Sequence, residues 1–167
     1  MFAKNHIPGK KASKNSNTSK IIQHYGGDII KSETFRNSKN YIQHGTISVN
    51  EHCMDVAKCS VEISKIFRIH CNTKDLVRGA LLHDYFQYDW HDKENKEIKH
   101  LHGLYHPGVA LRNAKKDYHL SEIEKDIIRK HMWPLTVVPP MCREAWIVTM
   151  ADKNCSFLET VRIRNGN

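Results

Sequence analysis

The chain has 167 residues, 40% of them apolar, enough for one domain with a real core, and no apolar run approaches the roughly 18 residues of a membrane span. Its five cysteines form no CxxC pair and are odd in number, which argues against a disulfide framework and a zinc finger. The formal net charge is +8, of which Lys4, Lys10, Lys11, Lys14 and Lys20 supply +5, so the rest is only mildly basic, a sign that suits a phosphate-bearing substrate.

Residues 1–19 are rich in Lys, Asn and Ser and read as a flexible basic tail, the one place where nucleic acid could be contacted. They contain no apolar core of a secretory signal, so a reducing cytoplasm is the expected location. Residues 20–167 read as the folded domain, with no internal repeat or linker. Tyr41 to Val49 is mixed, a loop or a short strand. Ser48 and Glu51 form a capping box, and Val49, Cys53, Val56, Ala57, Ser60, Ile63 and Phe67 recur at helical spacing. Asn72 with Asp75 opens a second helix that runs through Leu76–Leu82 into His83-Asp84. Pro107 fits a first helical position, with His106 just before it. Ser121 and Glu124 make another capping box, and Ile123, Ile127, Ile128 and His131 share a face. Trp133-Pro134 stops that helix. A last helix runs from about Met141 to Arg162, with Ala145, Val148, Thr149 and Asp152 on one side. The fold expected is all-α, a single bundle of about six helices with its site between facing helices.

Six residues of metal-ligating type are spread through these helices: His52, His83, Asp84, His106, His131 and Asp152. Imidazoles and carboxylates suit Zn, Mn, Fe or Mg. A metal that lowers the pKa of water to about 7 makes a nucleophile at neutral pH, and two metals can clamp both oxygens of a phosphoester displacement. A carboxylate is the natural bridge, and Asp84 is placed for it. Asp152 shares its helical face with apolar residues, where an unpaired carboxylate would be costly to bury and a metal would offset the cost.

The ordered set His52, His83-Asp84, Asp152 resembles the HD-domain superfamily of metal-dependent phosphohydrolases, over roughly residues 40 to 160. The local contexts Glu51-His52-Cys53-Met54, Leu81-Leu82-His83-Asp84 and Met150-Ala151-Asp152-Lys153 carry the resemblance. His106 in Tyr105-His106-Pro107-Gly108 and His131 in Lys130-His131-Met132-Trp133 are similar to the extra histidines of two-metal members. The resemblance implies two divalent metals, one on His52, His83, Asp84 and Asp152, the other on Asp84, His106 and His131, with His102 an alternative to His106. It implies a nucleotide or other small phosphoester as substrate and metal-activated hydroxide as nucleophile.

Many relatives carry Lys or Glu three residues after the HD aspartate, where this chain has Gln87. Asp89 and His91 are the expected proton donors in its place. Lys153 and Arg112 could meet a phosphate, and Trp133 could stack a base. Two other functions fit the same residues. One is a di-iron oxygenase on the HD fold, recognisable by oxygen consumption. The other is a catalytically weak binding module, recognisable by steeply salt-dependent nucleic-acid binding through the tail.

Overall fold

The structure is a computed structural model that describes residues 10–44, 46–86 and 96–165, with side chains over 17–43, 46–86 and 103–161. The chain is all-α apart from one small hairpin. Helix α1 spans Lys10–Lys31 and is followed by the short α2, Glu33–Asn37, which Ser32 caps by accepting from the Phe35 N–H. A 3-10 turn at Ser38–Asn40 leads to strands β1, Ile42–His44, and β2, Ile47–Ser48, paired antiparallel with Ile42 opposite Ser48. Then come α3, Val49–Ile66; α4, Thr73–Leu82; α5, Lys96–Asp117; α6, Glu122–Lys130; and α7, Arg143–Asn165.

The caps expected from sequence are formed. Ser48 Oγ accepts from the Glu51 N–H while the Glu51 carboxylate accepts from the Ser48 N–H. Ser121 and Glu124 repeat the arrangement at α6, and Asn72 Oδ1 accepts from the Asp75 N–H at α4. Each such cap is worth about 1 kcal/mol, because it satisfies donors that a helix leaves free at its first turn.

The all-α bundle is as expected, and three details differ from the sequence reading. Seven helices stand among the described residues, because neither α1 nor α2 was read from the sequence. Helix α1 begins at Lys10, so the expected tail boundary at residue 19 falls inside it; Thr18 is buried and bonded to Glu62 of α3. Pro107 stands inside α5 and not at its start. Proline there removes one helical hydrogen bond, and the helix continues on both sides of it.

The core is built by α3, α4, α6 and α7, with α1 laid against α4 and α5 against α6. Val56, Val61, Leu76, Val77, Leu81, Ile127, Ile128 and Val148 are fully buried there. Each such side chain contributes about 1.5–3 kcal/mol on leaving water. Gly79 lets α4 approach α6 closely: a Cβ at that position would lie 2.4 Å from Ile127 Cδ1. A polar tie crosses the same layer, where buried Arg78 donates to Glu124 at 3.0 Å and to Asp28 of α1 at 2.7 Å. That packing brings the ends of α4 and α6, and hence His83 and His131, side by side.

Candidate metal centre

His83 caps the C-terminus of α4 and His131 that of α6. Each ring is fixed by the backbone of its own helix: His83 Nδ1 donates to the Ala80 carbonyl at 2.7 Å, and His131 Nδ1 to the Ile128 carbonyl at 2.9 Å. With Nδ1 donating to the carbonyl, each Nε2 points inward. Burial keeps His131 neutral there, whereas burial of His83 is outweighed by the Asp84 charge, which holds its pKa well above the ordinary range until a metal takes the proton's place. The two rings meet edge to face with centroids 4.9 Å apart. His52 comes from the second turn of α3, His106 from the middle of α5 and Asp152 from α7. All six residues are buried.

Asp84 sits at the centre of them. Its Oδ2 lies 3.5 Å from His83 Nε2 and 3.9 Å from His52 Nε2. Its Oδ1 lies 3.1 Å from His106 Nε2 and 3.4 Å from His131 Nε2. Asp152 Oδ1 closes the first group, 3.1 Å from His52 Nε2 and 3.8 Å from His83 Nε2. Two triads result, His52–His83–Asp84 and Asp84–His106–His131, and they share the carboxylate.

The donors present fit a divalent metal. Among the described residues, His83 Nε2 and Asp84 Oδ1 are buried without a hydrogen bond, although almost every buried polar atom in a folded protein has one. Two ligands about 2.1 Å from one ion stand roughly 3–3.5 Å apart, close to the spacings found. His106 Nε2 and His131 Nε2 are only 2.8 Å apart, a contact that two bare lone pairs would not tolerate without a proton or cation between them.

The electrostatics point the same way. Burial opposes a charge on His52, but the hydrogen bonds it donates to Asp152 and Glu159 outweigh it and raise its pKa to about 10. Burial likewise opposes ionisation of Asp84 and Asp152, yet the surrounding imidazoles hold both carboxyls below their usual range. His131 goes the other way: burial pushes it down and leaves the ring neutral, as a ligand must be. The pocket therefore holds carboxylates ionised at its centre and favours a cation beside them.

Two buried groups that the sequence reading passed over complete the site. Glu159, two turns beyond Asp152 on α7, takes His52 Nδ1 at 3.0 Å. Gln43 of β1 donates from Nε2 to Asp84 Oδ2 at 2.6 Å. A carboxylate seven residues after a ligand lies on the same helical face, so Glu159 left a legible signal. Gln43 left none, because a three-residue strand has no period to read.

The remaining expected residues lie differently. Lys153 reaches back to the His131 carbonyl at 3.3 Å. Trp133 packs edge to face on Trp146, with centroids 4.9 Å apart. Arg112 is exposed and lies over Gly108, outside the buried cluster. Asp89 and His91 fall outside the described residues, as does the side chain of His102.

The model of one known family, the HD domain, matches residues 49–154. The chain belongs to the HD-domain family. This makes it a member of a superfamily of metal-dependent hydrolases, and the matched span takes in all six buried ligand-type residues. Gln43 and Glu159 lie outside that span. No curated protein and no solved structure matches the chain at a significant level. Among the described residues no helix is long and apolar enough to cross a membrane.

Proposed function

We propose that this HD-domain protein is a two-metal phosphohydrolase acting on a nucleotide or another small phosphoester. The observation that carries the reading is the shared carboxylate: one oxygen of Asp84 faces His52 and His83, the other His106 and His131. One metal would be held by His52, His83, Asp84 and Asp152, the other by Asp84, His106 and His131. When bound, such ions supply Lewis-acid contacts to a phosphoryl oxygen and acidify water at neutral pH.

The protein's own part is preorganisation. The Ala80 and Ile128 carbonyls and Glu159 each hold one nitrogen of a histidine, so the opposite nitrogen is directed to the centre. Burial keeps bulk water from competing with these dipoles. Lys153, next to Asp152 on α7 and bonded to the His131 carbonyl, is the residue proposed to meet a phosphate oxygen. Asp89 and His91 follow Asp84 closely in sequence and are the proposed proton donors to the leaving group. Iron, zinc and manganese suit this imidazole-rich donor set better than magnesium, which prefers oxygen ligands.

The test is phosphate release across a nucleotide panel, with protein loaded anaerobically with Mn or Fe, beside Asp84→Ala. Release by the wild type and none by the variant supports the reading. Two irons bound per chain with oxygen uptake and no phosphate release would replace hydrolysis with oxygen chemistry.

A further inference from the structure

Gln43 is 7% exposed and makes one hydrogen bond through its amide nitrogen, to Asp84 Oδ2 at 2.6 Å. A second acceptor could not stand that close to a carboxylate, so the amide is oriented with its N–H toward Asp84. Its carbonyl oxygen, Oε1, is buried and has no hydrogen-bond partner among the described residues. An amide's nitrogen and oxygen are about 2.3 Å apart, so this acceptor lies within about 5 Å of Asp84 Oδ2, at the edge of the His52–His83–Asp84 triad. A buried acceptor with nothing to accept is expensive in a finished core. It is expected where a ligand or reacting molecule supplies the missing donor.

The N–H end has its own consequence. The terminal torsion of an aspartate is broad, so little intrinsic to Asp84 fixes the plane of its carboxylate. The 2.6 Å bond from Gln43 holds that plane by anchoring the oxygen on the His52–His83 side. Gln43 stands on β1, which packs against both α3 and α7, so its backbone is held by the helices that carry His52 and Asp152.

We propose that Gln43 is a positioning residue of the two-metal site, its N–H fixing the shared Asp84 carboxylate and its carbonyl accepting a hydrogen bond from the attacking water. This rests on the phosphohydrolase reading for its second half and on the metal site alone for its first. The assignment comes from this chain's own hairpin, outside the segment that defines its family.

The full-length chain, stripped with EDTA and titrated with Mn(II), tests it through the signal of the free ion in electron paramagnetic resonance. Gln43→Met keeps the side-chain length and removes both the donor and the acceptor. Gln43→Ala serves if the thioether does not fit. The expected result is Mn(II) affinity about tenfold weaker, as for other losses behind a ligand. With an active nucleotide, kcat should fall about tenfold or more while KM stays within about twofold, since the loss is of orientation and not of substrate contact. The metal-free protein should melt as the wild type does, which a purely structural role would not allow. Wild-type Mn(II) affinity and kcat in the variants would overturn the proposal. If the wild type releases phosphate from nothing, the hydrolase reading fails and the Mn(II) titration alone decides on Gln43. If the wild type binds no Mn(II), the proposal falls too.

Discussion

Glu159 Oε1 lies 3.0 Å from Nδ1 of His52, while Asp152, two turns earlier on the same helix, takes Nε2 of that ring at 3.1 Å. One helix therefore grips both nitrogens of a buried histidine on another. Without a metal, both nitrogens must carry protons to satisfy both carboxylates. With a metal at Nε2, Glu159 still holds the Nδ1 proton and makes the ring a better donor.

Glu159→Gln keeps an acceptor for Nδ1 but loses the charge, and Glu159→Leu loses both. Metal affinity measured calorimetrically with Mn(II) should fall about tenfold in the first variant and toward a hundredfold in the second. Equal affinities in wild type, Gln and Leu variants would show that the carboxylate has no part in binding.

The raised pKa of His52 makes the metal-free protein sensitive to alkali. A folded-state pKa of about 10 against an ordinary 6.5 means that the folded chain holds a proton the unfolded chain gives up. The resulting stabilisation is fully present below pH 6.5 and is lost as pH rises through 10. Thermal melting of EDTA-treated protein should therefore decline between pH 7 and 10. Bound metal takes over the proton's place, so metal-loaded protein should lose less over the same interval, and metal binding near pH 8 should release protons. A flat melting profile for the stripped protein would refute the assignment.

Gly79 tests how the helix packing sets the site. In Gly79→Ala the new methyl would meet Ile127 at 2.4 Å from Cδ1 and 3.0 Å from Cβ, and the branch point cannot rotate away. The gain in helix propensity, about 1 kcal/mol, works against an overpacking cost of about 1–3 kcal/mol. Overpacking should win, lowering the melting temperature by about 3–6 °C and weakening the second metal as α4 and α6 part. Gly27→Ala is the control, because its Cβ would meet only the end of Gln23 at 3.8 Å. The prediction fails if both substitutions leave stability unchanged.

What could be read from the sequence followed from where physical chemistry leaves local marks. The capping boxes at Ser48 and Ser121 specify helix starts within a few residues, and α3 and α6 begin there. His83-Asp84 at the end of an apolar run, with Asp152 on an apolar face, marked a buried polar site because such groups need a partner. The first helix was obscured by its composition: Lys10 to Ser19 is almost wholly polar, with no apolar period to read, and Thr18 ties it to α3 through Glu62. Pro107 misled for a related reason. A proline's preference for a helix start is local, whereas packing of α5 on α6 carries the helix through it. Gln43 could not be found because its role depends on a fold that brings a three-residue strand to a helix end 41 residues away.

The remaining thiols give a prediction away from the metal centre. The Cys155 thiol bonds to Cys59 and lowers its pKa to about 7, with further help from the Asn154 amide, which donates to Cys59 Sγ at 3.7 Å. Burial instead pushes Cys71 up and Cys142 up to about 11. The thiolate is the reactive form, so near neutral pH Cys59 should carry more of it than Cys71 or Cys142. Cys59 is also partly exposed, whereas its partner Cys155 is buried. Limited treatment with iodoacetamide followed by peptide mass spectrometry should find carboxamidomethyl first on Cys59. Asn154→Leu removes one of the two groups that stabilise the thiolate, so it should slow that labelling severalfold without changing the rate at Cys71. Labelling that begins at Cys71 or Cys142 would show that accessibility, and not thiolate character, governs reactivity in this chain.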